Sequence, residues 1–264
     1  LYFWLSNGSD EMYSGFGTEN YPNSYSATAR RMRTAFVFNN TGTGVTVSSG
    51  GFLDHNSSET RTLGFTSGFR NLYVSANTST TNGSATTITG GVTVASGATL
   101  TLGQDLTMAG NFTNNGGSFN ASSRLVTFNG STDQEIGGSA NTTFAFITTN
   151  KSAGKLTINS SRTVTFASGG NLRITSGTFE LTAANQIATT NNPALFLNGG
   201  TFSTGATTGF NQNFGGTLTL QENSTIRFGT GNHTLQFAAS NGASWTSAKT
   251  ITVSSWGCLL YTSR

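Results

Sequence analysis

Gly91–Gly138 reads GVTVASGATLTLGQDLTMAGNFTNNGGSFNASSRLVTFNGSTDQEIGG, and its reading decides the fold. Short apolar/Thr alternations follow one another: Val92-Thr93-Val94, Leu100-Thr101-Leu102, Leu106-Thr107-Met108 and Val126-Thr127-Phe128. Gly, Ser and Asn lie between them. Alternation of period two belongs to a half-buried strand, and Gly/Asn/Ser clusters mark turns. No segment here shows the three-to-four spacing of an amphipathic helix.

The pattern extends on both sides. Phe36-Val37-Phe38, Val45-Thr46-Val47, Leu63-Gly64-Phe65 and Leu72-Tyr73-Val74 precede it. Leu172-Arg173-Ile174, Phe179-Glu180-Leu181, Leu195-Phe196-Leu197, Leu235-Gln236-Phe237 and Ile251-Thr252-Val253 follow. Similar units start at Val92, Leu156 and Leu218, separated by 64 and 62 residues. Ser75–Ala85 is almost wholly Ser, Thr, Asn and Gly, and is expected to protrude as a loop. A lone strand of three to five residues cannot bury enough surface to stand alone. Stacking equivalent strands from successive coils of roughly 20 residues solves this. The expected fold is therefore all-β, a right-handed parallel β-helix (β-solenoid). Tandem β-sandwiches are the alternative, but sandwich strands are usually longer. The pairs Gly90-Gly91, Gly116-Gly117, Gly137-Gly138, Gly169-Gly170, Gly199-Gly200 and Gly215-Gly216 are expected at corners where φ turns positive.

Composition agrees with an ordered, narrow-cored chain. Of 264 residues only 9% are charged, against about 25% in ordinary domains. Phe supplies 20 of the aromatic residues and needs no polar partner when buried. The net charge is +3, and apart from Arg30-Arg31-Arg33 the basic residues are scattered, which does not make a nucleic-acid surface. Cys258 is the one cysteine, so no intrachain disulfide can form. No run of about 18 apolar residues offers a membrane-spanning helix. Residues 1–35 alternate poorly and read as an irregular N-terminal cap segment, which a solenoid end needs. Residues 36–256 read as the solenoid. The start at Leu1 without Met reads as a fragment.

GNFTNNGGSF (Gly110–Phe119), VTFNGSTDQEIGG (Val126–Gly138) and GTLTLQENSTIRFGTGNHTLQFAASNGASWTSAKTITVSSW (Gly216–Trp256) resemble the β-helical repeats of large secreted bacterial surface proteins. They are similar to autotransporter passenger strands and to proteins exported with a type IX sorting domain. The resemblance covers about residues 90–256. It implies a secreted or cell-surface, structural or adhesin-like role, with polysaccharide or other cell-surface ligands as partners. CLLYTSR (Cys258–Arg264) breaks the pattern, and residues 257–264 resemble a non-native tail of a translated environmental fragment.

Each candidate for chemistry has a plainer reading beside it. Asp133 and Glu135 share a strand face at i and i+2, so two carboxylates could converge on a sugar or a cation. The plainer reading is a solvated turn leading into a strand. Asp54-His55-Asn56 with Glu59 could hold calcium, but lacks the spacing of a calcium loop. His233 lies in a Gly-rich turn with no acidic or Cys neighbour, so zinc and Ser-His-Asp chemistry are poorly supported. A β-helical polysaccharide lyase or glycoside hydrolase, the alternative function, would cluster acids with Lys or Arg on one face. Lys151, Lys155 and Lys249 are not beside an Asp in sequence, so only folding could assemble such a face. The pairs Thr99/Thr101, Thr163/Thr165 and Thr217/Thr219 suggest an ice-binding array, whereas Arg173, Glu180 and Arg227 interrupt it. The Asn-x-Ser/Thr sequons at Asn111, Asn141, Asn159 and Asn223 carry little weight in so Asn- and Thr-rich a chain. No catalytic residue, cofactor site or metal site is assigned. The expected function is non-enzymatic presentation of a Thr/Asn/Ser surface.

Overall fold

In Val92-Thr93-Val94 the two valines are buried and the threonine between them is half-exposed, the outcome that alternation demands. A strand so short needs partners on both edges, and it has them: Val92 pairs in register with Leu72 on one side and Phe112 on the other, all parallel. The computed structural model describes backbone and side chains over residues 71–74, 81–83 and 85–255, and backbone alone for the strands before and between them. It is an all-β parallel solenoid of about 8 turns. Coil length varies: 19 residues from Thr99 to Ser118, 20 from Leu72 to Val92 and 27 from Ile226 to Val253.

Each coil visits three faces. Face 1 stacks Thr86–Ile88, Leu106–Met108, Leu125–Phe128, Phe146–Thr149, Asn171–Ile174, Ala194–Leu197 and Leu218–Leu220. Face 2 stacks Val92–Val94, Phe112–Asn114, Gln134–Gly138, Lys155–Ile158, Thr178–Glu180, Thr201–Ser203, Ser224–Arg227 and Ile251–Ser254. Face 3 holds Ser79–Asn82, Thr99–Leu102, Ser118–Asn120, then Thr142–Phe144 with Val164–Phe166, and finally Gln212–Asn213 with Leu235–Gln236. Two strands of 17 residues, Thr142–Ile158 and Val164–Glu180, run round the corners through all three faces.

The interior is a column of large apolar side chains. Phe112, Phe128, Phe144, Phe166, Phe179, Phe202 and Phe214 are fully buried, the dry Phe core that composition suggests. Phe112 packs edge-on against Phe119 and Phe144, with ring centroids 4.9 and 5.2 Å away. Phe179 and Phe202, neighbours in one ladder, stack at 6.0 Å.

Several sequence expectations change. Within Ser75–Ala85, Ser79–Asn82 is no protruding loop: it is a face 3 strand paired with Thr99–Leu102. Asn82 is buried, and its side chain bonds the backbone of Gly103 and Gln104 in the next coil. The spacings of 64 and 62 residues are not the repeat. Val92 and Leu156 lie on face 2 but Leu218 lies on face 1. Val37–Asn40 and Val45–Ser48 pair antiparallel with each other, and Gly51–His55 pairs parallel with Phe69–Val74. Five of the six Gly pairs contain a positive-φ residue, whereas Gly90-Gly91 does not. That pair is small for another reason: a Cβ on Gly91 would lie 2.8 Å from the Asn111 carbonyl oxygen of the next coil.

The sequons also gain a meaning. Asn111, Asn141 and Asn223 each sit one residue before a strand. Their Oδ1 atoms accept the backbone N–H of Glu135, Thr163 and Thr250, one coil further on, at 2.9 Å each. Asn71, Asn211, Asp105 and Asp133 make the same inter-coil bond. At a corner the backbone ladder lapses, and the side-chain carbonyl replaces the missing acceptor. The residue after each of the three asparagines points inward (Phe112, Thr142, Ser224) and the next is an outward Thr. Asn-x-Thr is thus how this fold enters a strand. Asn141→Ala is expected to cost about 1 kcal/mol in urea unfolding, whereas Asn141→Asp keeps the acceptor and most of the stability.

Candidate functional site

Face 2 gathers Glu135, Lys155, Glu180 and Arg227. Inward Leu156, Phe179, Phe202 and Ile226 alternate with outward Thr157, Glu180, Ser203 and Arg227, which follow one another in register. Two residues earlier in the same strands run Lys155, Thr178, Thr201 and Thr225, with Thr252 beyond them. Neighbouring strands are about 4.8 Å apart, so long side chains reach across coils. Lys155 Nζ meets Glu180 Oε1 at 2.6 Å, and Arg227 Nη2 binds Glu180 Oε2. The Glu180 side chain is only 3% exposed, against 35% and 40% for its two cations. A buried carboxylate is costly unless paired, and this one is paired twice.

Arg227 also donates from Nε and Nη2 to Ser203 Oγ, at 3.2 and 3.1 Å. Ser203 Oγ donates to the Gly205 carbonyl at 3.0 Å. His233 Nδ1 lies 2.8 Å from the Gly231 carbonyl, so Nδ1 carries the proton. Nε2 then accepts from the Thr204 hydroxyl at 2.8 Å, and that oxygen accepts the Gly229 N–H at 2.9 Å. Ser203 and His233 therefore spend their hydrogen bonds on different partners. Arg227 ties Ser203 to Glu180, and His233 is held between Thr204 and Gly231.

The fold brings Glu135 to the same face as this cluster, in register with Thr157, with Asp133 at the corner just before that strand. Their carboxylates do not converge. Asp133 Oδ1 accepts the backbone N–H of Lys155 at 3.0 Å, and Glu135 Oε1 accepts from Asn159 Nδ2 at 3.3 Å. Folding also unites what sequence separated: Lys155 meets Asp133 through its backbone and Glu180 through its ammonium. Lys249 pairs with Glu222 at 2.5 Å, away from that group. The backbone of Asp54 and His55 lies in the Gly51–His55 strand, but their side chains, with Asn56 and Glu59, lie outside the described residues. Among the described residues no group of three or more His, Cys, Asp or Glu could hold a metal ion. The Thr pairs do not make one array: Thr99/Thr101 and Thr163/Thr165 belong to face 3, and Thr217/Thr219 to face 1.

Lys151, one of the three lysines weighed for a lyase-type face, is buried instead of joining one. It occupies the corner between faces 1 and 2 and is 1% exposed. Its ammonium donates to the Gly130 carbonyl at 2.8 Å, the Thr132 carbonyl at 2.8 Å and Gln134 Oε1 at 2.6 Å. Gln134 is itself buried, and its amide donates to Met108 and Gly110 one coil below. Burial lowers the Lys151 pKa to about 8 from 10.5, with attraction to Asp133 opposing the shift. Between these pH values the folded state binds fewer protons than the unfolded one, so Lys151 makes stability rise with pH from about 8 to 10.5. Below pH 8 the cost of burying the charge is constant. Lys151→Met is expected to remove that rise, a slope of up to about 1.4 kcal/mol per pH unit, in unfolding curves taken from pH 7 to 11. Equal slopes in both proteins would refute it.

The chain is thus a β-solenoid whose faces carry in-register polar rows. Comparison with protein-family models, curated proteins and solved structures finds no match to it.

Proposed function

We propose that this chain is a non-enzymatic, secreted or cell-surface β-solenoid of structural, adhesin-like role, presenting hydroxyl and amide rows to polysaccharide or other surface ligands. The observation that carries the reading is the pair of in-register outward rows. Thr87, Thr107 and Thr127 line face 1, and Thr178, Thr201, Thr225 and Thr252 line face 2. A rod with a donor and acceptor every ~4.8 Å makes many weak contacts to a repeating ligand, and weak contacts multiply through avidity. The bacterial surface location rests on the resemblance of Gly110–Phe119, Val126–Gly138 and Gly216–Trp256 to secreted repeats.

One observation favours a second reading, a carbohydrate-active enzyme: Glu135 and Glu180 share face 2 with Lys155 and Arg227, and Asp133 lies at its edge. A general acid or base must reach its substrate. Glu180 is enclosed between two cations, so the binding reading is preferred. The test is a glycan array with reducing-end release on the 264-residue chain. Binding without release supports the adhesin-like role. Release that Glu180→Gln abolishes would overturn it in favour of the enzyme, and no binding to any glycan would overturn the ligand-presenting role.

A further inference from the structure

Face 1 changes character halfway along. Its outward row runs Thr87, Thr107, Thr127, Thr148, and then Arg173, Phe196 and Thr219. Two residues earlier in the same strands, the parallel row runs Leu125, Phe146, Asn171, Ala194. The inward positions beside them (Val126, Ile147, Leu172, Leu195) already fill the core. Leu125, Phe146 and Phe196 are therefore large apolar side chains left half-exposed on a face otherwise lined by threonine.

Arg173 lies between Thr148 and Phe196 in the outward row, and Phe146 sits on the preceding coil in register with Asn171. The Arg173 guanidinium lies over the Phe196 ring, 4.8 Å from the centroid, and Nη1 donates to Gln221 Oε1. Stacking on one side and an amide at one edge hold the guanidinium plane in place. Both partners are neutral. Among the described residues the ion pairs belong to Lys155, Arg227 and Lys249. A guanidinium has five N–H donors in a fixed fork suited to a carboxylate. Here the fork is oriented in advance by the Phe196 ring and Gln221, and half-exposed.

We infer that Arg173, with Phe146, Phe196 and Gln221, is a binding site for an acidic polysaccharide of the uronate class. This rests on the surface role proposed above and assigns it one ligand chemistry and one place. A uronate sugar carries a carboxylate on a ring with an apolar C–H face. Arg173 takes the carboxylate, the Phe146 and Phe196 side chains take C–H surface, and Gln221 and Asn171 serve the hydroxyls. The coil rise of ~4.8 Å is of the size of one sugar residue, so a chain laid across the coils meets Arg173 with one residue and Phe196 with the next.

The test is calorimetric titration of the 264-residue chain with polygalacturonate at low salt, beside its methyl ester. Binding to the acid, and at least tenfold weaker binding to the ester, is expected. Arg173→Gln is expected to weaken acid binding at least tenfold. Arg173→Lys weakens it too, because a point charge lacks the fork. Arg124→Gln, which removes a charge elsewhere, changes it less than twofold. Circular dichroism melts identify any variant that fails to fold, and Phe146→Ser then tests the same site from its other side. The inference is overturned if Arg173→Gln and Phe146→Ser bind like the parent, if Arg124→Gln loses as much as Arg173→Gln, or if the ester binds equally. Binding of a neutral glycan unaffected by these variants overturns this site and leaves the surface role standing. No binding to any polysaccharide overturns both.

Discussion

Phe112→Ala is expected to destabilise the solenoid by about 3–5 kcal/mol. Phe112 is fully buried, lies between Val92 and Ile136 in the face 2 ladder, and touches Phe119 and Phe144 across the interior. Removing the ring deletes its transfer free energy and two aromatic contacts. The cavity cannot collapse easily, because the strands on either side are held by backbone pairing at a fixed spacing. Phe119 is half-exposed, so Phe119→Ala should cost distinctly less. Guanidinium unfolding of the two variants decides the point. A Phe112→Ala loss no larger than that of Phe119→Ala would mean that the column repacks.

Gly138→Ala is expected to cost about 3 kcal/mol or more, and Gly169→Ala only about 1–2 kcal/mol. Both glycines have positive φ, +105° and +75°, so both substitutions incur backbone strain. They differ in what the added methyl meets. At Gly138 it would lie 2.1 Å from the Asn114 carbonyl oxygen and 2.5 Å from its carbon, both backbone atoms of the preceding coil. At Gly169 nothing lies within 4 Å. The first change forces two coils apart, whereas the second strains only its own turn. The same unfolding measurement on both variants tests this. Equal losses would show that the coil separation at Gly138 is not held, against the register that pairs Asn114 with Gly138.

Much of this was legible in the chain. Val92-Thr93-Val94 and Leu106-Thr107-Met108 alternate because one face of each strand is buried, and period-two alternation records that directly. The glycine pairs announced most corners, since a left-handed turn needs a residue without a Cβ. The staples were legible in principle. Asn-Phe-Thr at Asn111 and Asn-Thr-Thr at Asn141 repeat one grammar of bond, inward residue and outward threonine, but a sequon looks the same whatever its cause. Ser79–Asn82 was read as a loop because its composition is polar. Its place in the stack comes from pairing with Thr99–Leu102, and local composition does not encode a backbone partner a coil away.

The candidate sites depend on that non-local register. Lys155, Glu180 and Arg227 are separated by 25 and 47 residues in the chain, yet meet because coil lengths bring their strands into one row. Arg173 reaches Gln221, 48 residues on, for the same reason. Coil lengths vary with the corners, so no fixed period in the sequence predicts which charges align. The sequence alone determined that the chain is all-β, built of short strands around a Phe-rich interior, and favoured a parallel coil over tandem sandwiches, because burial and turning leave local marks. Only the tertiary structure decided which outward side chains become neighbours, because inter-coil pairing is set by the summed lengths of loops that carry no signal of their own.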